Sequence, residues 1–132
     1  MSGPCFTLRK LEASDVEFVI NVEPECESVS GHFATGDDDL DRKLEREIIE
    51  ASDAGSVEAW CCIQVTARWG GFEGWDSLGG CSFLTSGNPV PIAKQVAECI
   101  EAHAMKEEAL DHLNKVIAER AAAIAPLLRR KR

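Results

Sequence analysis

The sequence predicts one α+β domain, in which an antiparallel sheet of three or four strands packs on an acidic helix and a long C-terminal helix. Residues 57–69 alternate in the way that strands with two different faces do. Apolar residues recur at helical spacing from Val96 to Leu128. The chain has 132 residues, enough for one core, so we expect a single domain over 1–132 with a basic tail at 129–132.

The acidic charge lies in the N-terminal half of the chain. The net charge is −9, and residues 1–58 hold 15 Asp and Glu against 5 Lys and Arg, whereas residues 59–132 hold 8 against 9. A field of this sign repels nucleic acid and attracts basic surfaces. We therefore expect a partner with a basic surface and no direct contact with nucleic acid. Because no apolar run reaches the length of a membrane span, we also expect no membrane association.

The six cysteines favour a reducing compartment. The first ten residues lack the apolar segment of an export signal. Cys61 and Cys62 are adjacent on a predicted strand, so their side chains point to opposite faces. These observations predict reduced, largely buried thiols in a cytoplasmic protein.

The first part of the chain predicts a β-hairpin followed by a loop. Alternation over Phe6–Leu11 and Val16–Val22 indicates two strands, and Ala13–Asp15 suits the turn between them. Pro24–Gly36 is polar and contains Pro, Ser and Gly, which is typical of a loop.

Three aspartates open the acidic helix. Asp37, Asp38 and Asp39 supply an N-cap and place carboxylates at the positive end of the helix dipole. Asp53 and Gly55 predict its end. The remaining apolar positions form the stripe expected to be buried: Leu40, Leu44, Ile48 and Ala51.

The residue pattern disfavours a calcium-binding loop at this helix. Asp37, Asp39 and Asp41 match the first three ligand positions of an EF-hand, but Arg42 and Ile48 stand where that loop needs Gly and Glu. We expect no metal here.

Val57–Trp69 is predicted to be the central strand of the sheet. The segment after it, 70–81, is so rich in glycine that we expect an irregular but specific conformation and not a regular strand. Cys81–Leu84 then predicts a short return strand.

The C-terminal region predicts one long helix or two consecutive helices. The apolar stripe weakens at Lys106–Glu108, which is the expected place for a kink or a break. Pro126 limits the regular helix. Five residues recur every seven positions and define the stripe: Val96, His103, Leu110, Ile117 and Ile124.

Catalytic and metal chemistry find little support in the residue pattern. Cys81 follows two glycines and could be a nucleophile, but its base would have to be His32, His103 or His112 from elsewhere in the chain. No CxxC or HxxxH spacing exists for zinc, and no GxxxxGK pattern exists for a phosphate. His103 is interpreted as a core residue of the apolar stripe. We expect no catalytic residue, no metal and no cofactor.

Three segments of the chain carry a resemblance to a known group of proteins. They are GDDDLDRKLEREIIE, VEAWCCIQVTARWGGFEGWDSLGGCSF and MKEEALDHLNKVIAERA. They resemble small uncharacterised proteins of phages, prophages and plasmids with an acidic helix, a WAWC-like strand, a G-x-DSLGGCS turn and a terminal helix. The resemblance covers roughly residues 36–121, and Leu84–His103 departs from the pattern. It implies a host-defence antagonist, anti-CRISPR proteins among them.

The preferred hypothesis is a non-enzymatic, anti-CRISPR-like inhibitor that mimics DNA and blocks a basic, nucleic-acid-binding surface of a host defence effector. The alternatives are a thiol- or metal-dependent enzyme centred on Cys81, a phage structural or assembly protein, and a homodimer built through the C-terminal helix. The predicted partner-binding residues are the acids of the helix and its preceding loop and two tryptophans: Asp37, Asp38, Asp39, Asp41, Glu45, Glu47, Glu50, Glu25, Glu27, Trp69 and Trp75.

Overall fold

The computed structural model describes residues 8–84 and 89–128. The three strands form one antiparallel sheet in the order β1-β2-β3, which confirms the α+β class and the central position of the second strand. Short 3₁₀ helices lie at Ala13–Asp15, Val57–Ala59 and Ala125–Leu127. The main elements are β1 (Glu17–Pro24), α1 (Asp38–Asp53), β2 (Cys61–Trp69), β3 (Phe72–Cys81), α2 (Ile92–Ala102) and α3 (Met105–Ile124).

The main core lies between one face of the sheet and the helices α2 and α3. On β2 every second side chain, from Cys61 to Ala67, is fully buried. The helices contribute apolar residues from the turns that face the sheet. These residues are Val96 and Ile100 of α2 and Met105, Ala109 and Leu113 of α3.

α1 packs at the end of the sheet where β2 begins. It contacts the turn Val57–Ala59, and its Ile48 joins Val29 and Trp60 in a second, smaller core cluster. The helix starts where predicted because the Asp37 carboxylate accepts hydrogen bonds from the backbone amides of Asp39 and Leu40.

The predicted N-terminal hairpin is wrong over its described residues. Residues 8–12 form no strand, while Phe6 and Thr7 lie outside the described residues. Leu11 is paired instead with the Asn114 side chain of α3, which accepts from the Leu11 amide at 2.9 Å and donates to its carbonyl at 3.1 Å. The alternation at residues 8–11 therefore does not correspond to a strand.

The glycine-rich segment forms a strand that pairs with β2, contrary to the prediction of an irregular conformation. Trp69 pairs with Phe72, so Gly70 and Gly71 alone make the turn, and both have positive φ (55° and 82°). Two-residue hairpin turns require that conformation and favour glycine. β3 then runs to Cys81, and the predicted return strand at Cys81–Leu84 does not form.

A β-bulge near the end of β3 accounts for two more glycines. Cys61 pairs with Cys81 and Ile63 pairs with Leu78, so β3 holds one residue more than β2 between these pairs. Gly80 adopts φ 66° within this bulge. The extra residue locally interrupts the ladder.

The C-terminal region consists of two helices, and the break lies earlier than predicted. α2 ends at Ala102, and Ala104 has φ 50°, a left-handed conformation that stops a helix. His103 caps α2 and is exposed, so its interpretation as a core residue is wrong. Ile124 is also exposed, at 49%.

Candidate functional site

Two of the predicted binding acids of α1 are structural. Asp41 is buried, with 9% exposure, and accepts hydrogen bonds from the amide and hydroxyl of Thr35, the latter at 2.8 Å. Glu45 is half-buried and accepts from the Gly31 amide at 3.1 Å. Both carboxylates fasten the loop before α1 to the helix, and Asp41 is buried in this role whereas Glu45 remains partly exposed.

The exposed face of α1 mixes charges of both signs with apolar side chains. Arg42 lies 2.7 Å from Asp39, and Leu40 and Ile49 are 42% and 45% exposed. Ion pairs in the described part of the chain do not involve Glu47, Glu50 or Asp53. The charged residues of this face are Asp38, Asp39, Arg42, Lys43, Arg46, Glu47, Glu50 and Asp53.

Glu25 connects the acidic loop to the bulge of β3. Its carboxylate accepts hydrogen bonds from the amide of Gly80 at 2.9 Å and from the amide of Glu27 at 3.3 Å. These donors stabilise the charged form and hold the pKa of Glu25 below its usual value. Glu25 is therefore a structural link as well as an acid.

Glu27 lies beside an aromatic pair. Its carboxylate is 3.5 Å from Nε2 of His32, and its carbonyl accepts from the Trp60 indole at 2.7 Å. The His32 ring meets the Trp60 ring edge-on, with 5.0 Å between centroids. Trp60 is buried and belongs to the core.

Trp69 and Trp75 are exposed but distant from the acids. They are 45% and 50% exposed. The Trp75 amide donates to Nδ1 of His112 at 3.0 Å, and the two rings are in edge contact. Trp69 ends β2 while α1 lies at its start, and nine residues of strand span about 26 Å. The structure therefore does not bring all the predicted binding residues onto one surface.

The C-terminal end of α3 is a separate apolar patch. Ile124, Leu127 and Leu128 are 49%, 77% and 55% exposed. The homodimer through this helix stays a prediction, and the basic tail at 129–132 lies outside the described residues.

Burial disfavours thiolate chemistry at Cys81. The side chain is 8% exposed, and its thiol donates to the Leu78 carbonyl at 3.4 Å. Burial raises the pKa of Cys81 to about 11 and that of Cys61 to about 12. A protonated thiol is a poor nucleophile.

Sequence reasoning missed Cys99, which lines the same pocket as Cys81. Both residues line a pocket of about 280 Å³ together with His103. Nδ1 of His103 is 2.9 Å from the Cys99 carbonyl and 3.7 Å from its sulfur. The spacing of four residues between Cys99 and His103 is the signal that could have indicated their contact, because residues four apart on a helix are neighbours.

Searches of the described residues for a metal site and for a membrane-spanning helix, and comparisons with known proteins, gave no match. They contain no group of three or more His, Cys, Asp or Glu side chains that could hold a metal ion. No helix among them has the length and apolar character to cross a membrane. Comparison of the chain with protein-family models, with curated proteins and with solved structures found no match.

Proposed function

We propose that this protein is a non-enzymatic inhibitor of the anti-CRISPR type, encoded by a phage or mobile element, that binds a basic, nucleic-acid-binding surface of a host effector. The observation that carries the proposal is the exposed face of α1. It presents Glu47, Glu50 and Asp53 outside the described ion pairs, and the exposed side chain of Ile49 lies one turn before Asp53. The acidic balance of the first half of the chain supports the same kind of partner.

The composition of this face favours a protein partner whose surface is basic but not uniformly so. A mimic of a DNA backbone would present carboxylates alone, whereas Arg42, Lys43 and Arg46 lie among those of α1. Leu40 and Ile49 are nine residues apart and therefore lie on opposite sides of the helix, where their exposed side chains flank the charges. We therefore expect the mixed charge pattern of this face to determine which partner binds. The net negative charge of the protein is expected to raise the rate of association with a basic partner.

The test measures inhibition of DNA binding by purified CRISPR effector complexes. Each complex is mixed with the protein, and binding of its target DNA is followed by gel mobility shift. We expect at least one complex to lose target binding, and the inhibition to weaken as salt rises from about 0.05 to about 0.3 M. If no complex is inhibited, the anti-CRISPR assignment is wrong.

Charge reversal tests the surface itself. Glu47→Lys with Glu50→Lys is expected to reduce inhibitory potency by about tenfold or more, because both reversed charges face the basic partner. Glu107→Lys with Glu119→Lys is the matched control, since it changes the net charge equally at exposed positions of α3. Equal losses for the two pairs would show a general charge effect, and an indifferent α1 pair would move the contact surface to Trp69 and Trp75.

A further inference from the structure

The two edges of the sheet differ in how they are covered. β3 forms one edge, and there the backbone amide of Trp75 donates to Nδ1 of His112 on α3 at 3.0 Å. β1 forms the other edge and pairs with β2 alone. Within residues 8–84 and 89–128, no strand lies on the outer side of β1.

The backbone groups of Phe18, Ile20 and Val22 point away from β2. In an antiparallel ladder, pairs that exchange both hydrogen bonds alternate with pairs that exchange none. The Glu25 amide donates to the Trp60 carbonyl in continuation of the β1–β2 register, so the odd-numbered residues of β1 are the ones bonded to β2. In the described part of the chain, no hydrogen bond from another element reaches the three even-numbered residues. Their amides and carbonyls are thus available to a further strand.

An apolar groove of about 410 Å³ lies beside this edge, between β1 and α2. Ile20 lines it and is 43% exposed, although Val65, opposite it on the same face of the sheet, is fully buried. On α2 the exposed residues Ala93 and Ala97 line the groove, and their short side chains leave space next to β1. α2 therefore borders the position that a fourth strand would take.

Three acids surround the edge. Glu17 and Glu23 are exposed on the other face of β1, and neither takes part in an ion pair with a described residue. Glu58 lines the groove itself. Lys106 lies over the Phe18 ring, with 5.5 Å between Nζ and the ring centre, beyond the residues that line the groove. Lys or Arg side chains opposite the two β1 acids would form favourable cross-strand pairs.

A second copy of β1 matches this edge poorly. When Phe18 of one copy lies opposite Val22 of the other, Glu17 of each lies opposite Glu23 of its partner. Like charges directly opposite each other destabilise a strand pair, and acids at the ends of an edge strand are a common protection against self-association. The net charge of −9 adds to the repulsion between copies.

We propose that the outer edge of β1 binds an extended segment of a partner protein, in which apolar residues alternate with Lys or Arg. The segment adds to the sheet as a fourth strand and bonds to the backbone of Phe18, Ile20 and Val22. Its apolar side chains enter the groove beside α2, and its cations lie opposite Glu17 and Glu23. This surface consists of other residues than the exposed face of α1, so the inference does not depend on the anti-CRISPR assignment.

A synthetic peptide tests the edge. The probe is a blocked peptide of seven residues in which lysine and valine alternate, with lysine at both ends. Amide exchange of the full-length protein is followed by NMR with and without it. We expect the amides of Phe18, Ile20 and Val22 to gain protection, while those of Val19 and Asn21, already bonded to β2, change less. If the three amides are unchanged, or if the peptide protects α1 instead, the proposal is wrong.

Two control peptides separate strand addition from general attraction. Proline at the central position removes a backbone donor and should weaken binding by about tenfold. Glutamate in place of every lysine should also weaken binding, because it lies opposite Glu17 and Glu23. Equal binding of the proline peptide would contradict strand addition.

A substitution on α2 tests the groove. Ala97→Phe places a large side chain in the space beside β1 and is expected to lower the affinity for the lysine–valine peptide by about tenfold. Ala102→Phe is the matched control, because Ala102 is exposed on the same helix and does not line the groove. Equal affinities of these two variants would show that the peptide does not enter the groove and would overturn the proposal.

Charge reversal tests the choice of partner. Glu17→Lys with Glu23→Lys should weaken binding of the lysine–valine peptide and strengthen binding of its glutamate counterpart, at least about threefold each. Glu107→Lys with Glu119→Lys changes the net charge equally on α3 and should have a smaller effect on both. Equal effects of the two pairs would contradict a specific charge match at β1.

Exchange in the free protein decides between occupants. We expect the Phe18, Ile20 and Val22 amides to exchange rapidly without peptide. Protection that grows with protein concentration would assign the edge to a second copy, and protection at every concentration would assign it to a segment of the same chain. Either result would overturn the proposal.

Discussion

The backbone of Leu113 lies directly against Gly74, so that a β-carbon added to Gly74 would overlap the Leu113 amide nitrogen. α3 can approach β3 this closely only because Gly74 has no side chain. Gly74→Ala is therefore expected to destabilise the fold by about 2 kcal/mol or more, since backbone atoms cannot move aside as a side chain does. Chemical denaturation measures the loss.

The control for this substitution is Ser77→Ala, at an exposed position of the same strand. It should change stability by less than about 0.5 kcal/mol. A Gly74→Ala protein as stable as this control would mean that α3 does not pack on β3 as described.

The two glycines of the β3 bulge should respond differently to substitution. Gly80 has φ 66°, so Gly80→Ala is expected to cost about 1–2 kcal/mol from backbone strain. At Gly79 the added carbon would meet the end of the Glu25 side chain, at 2.8 Å, which can move without backbone strain but at the cost of its hydrogen bond from the Gly80 amide. Gly79→Ala should therefore cost less, and thermal melting of the two proteins compares them directly. The reverse order would contradict the bulge geometry.

Glu25 gives the protein a specific loss of stability in acid. The Gly80 and Glu27 amides lower its pKa in the folded state. Its contribution is thus complete above its unfolded pKa, near 4.3, and disappears as the pH falls through the folded value. Glu25→Gln should lower stability at pH 7 and make little difference at the acid end of this range. The measurement is denaturant unfolding as a function of pH, with Glu107→Gln as the control for loss of one exposed charge.

Cys61 should weaken the fold in alkali. Its folded pKa is raised to about 12 by burial. Below about pH 8.5 the thiol is protonated in both states and stability is complete. Above that pH the unfolded thiol releases its proton while the folded one retains it, so the free energy of unfolding falls until about pH 12. Cys61→Ala should flatten this decline, Cys26→Ala should not, and parallel alkaline profiles for all three proteins would refute the explanation.

Local signals predicted α1 and the strand from Cys61 to Trp69 correctly because their causes are local, whereas Val57–Ala59, predicted as the start of that strand, is a short 3₁₀ helix. Asp37 caps the helix with its own side chain, and strict alternation from Cys61 to Ala67 matches a strand with one fully buried face. β3 was wrongly predicted to be an irregular segment because the reasons for its glycines lie in contacts with elements that are distant in the sequence. Gly74 allows the backbone of α3 to pack closely against β3, and this contact with Leu113 exists only in the folded chain.

The candidate surface was only partly predictable for the same reason. The acids of α1 were found by composition, but the inward position of Asp41 depends on Thr35, six residues before it in the loop. The helix break at Ala104 carries no glycine or proline as a signal.

The strand order β1-β2-β3 also implies an order of folding. β2 and β3 are joined by two residues, whereas 36 residues separate the end of β1 from the start of β2. Closing the longer loop costs about 2.5 kcal/mol more in chain entropy. β2 and β3 can therefore pair within microseconds, before β1 finds its place. As a late-joining edge strand, β1 is expected to open first in native-state hydrogen exchange, which would expose the flank of β2 while the hairpin and α3 remain in place.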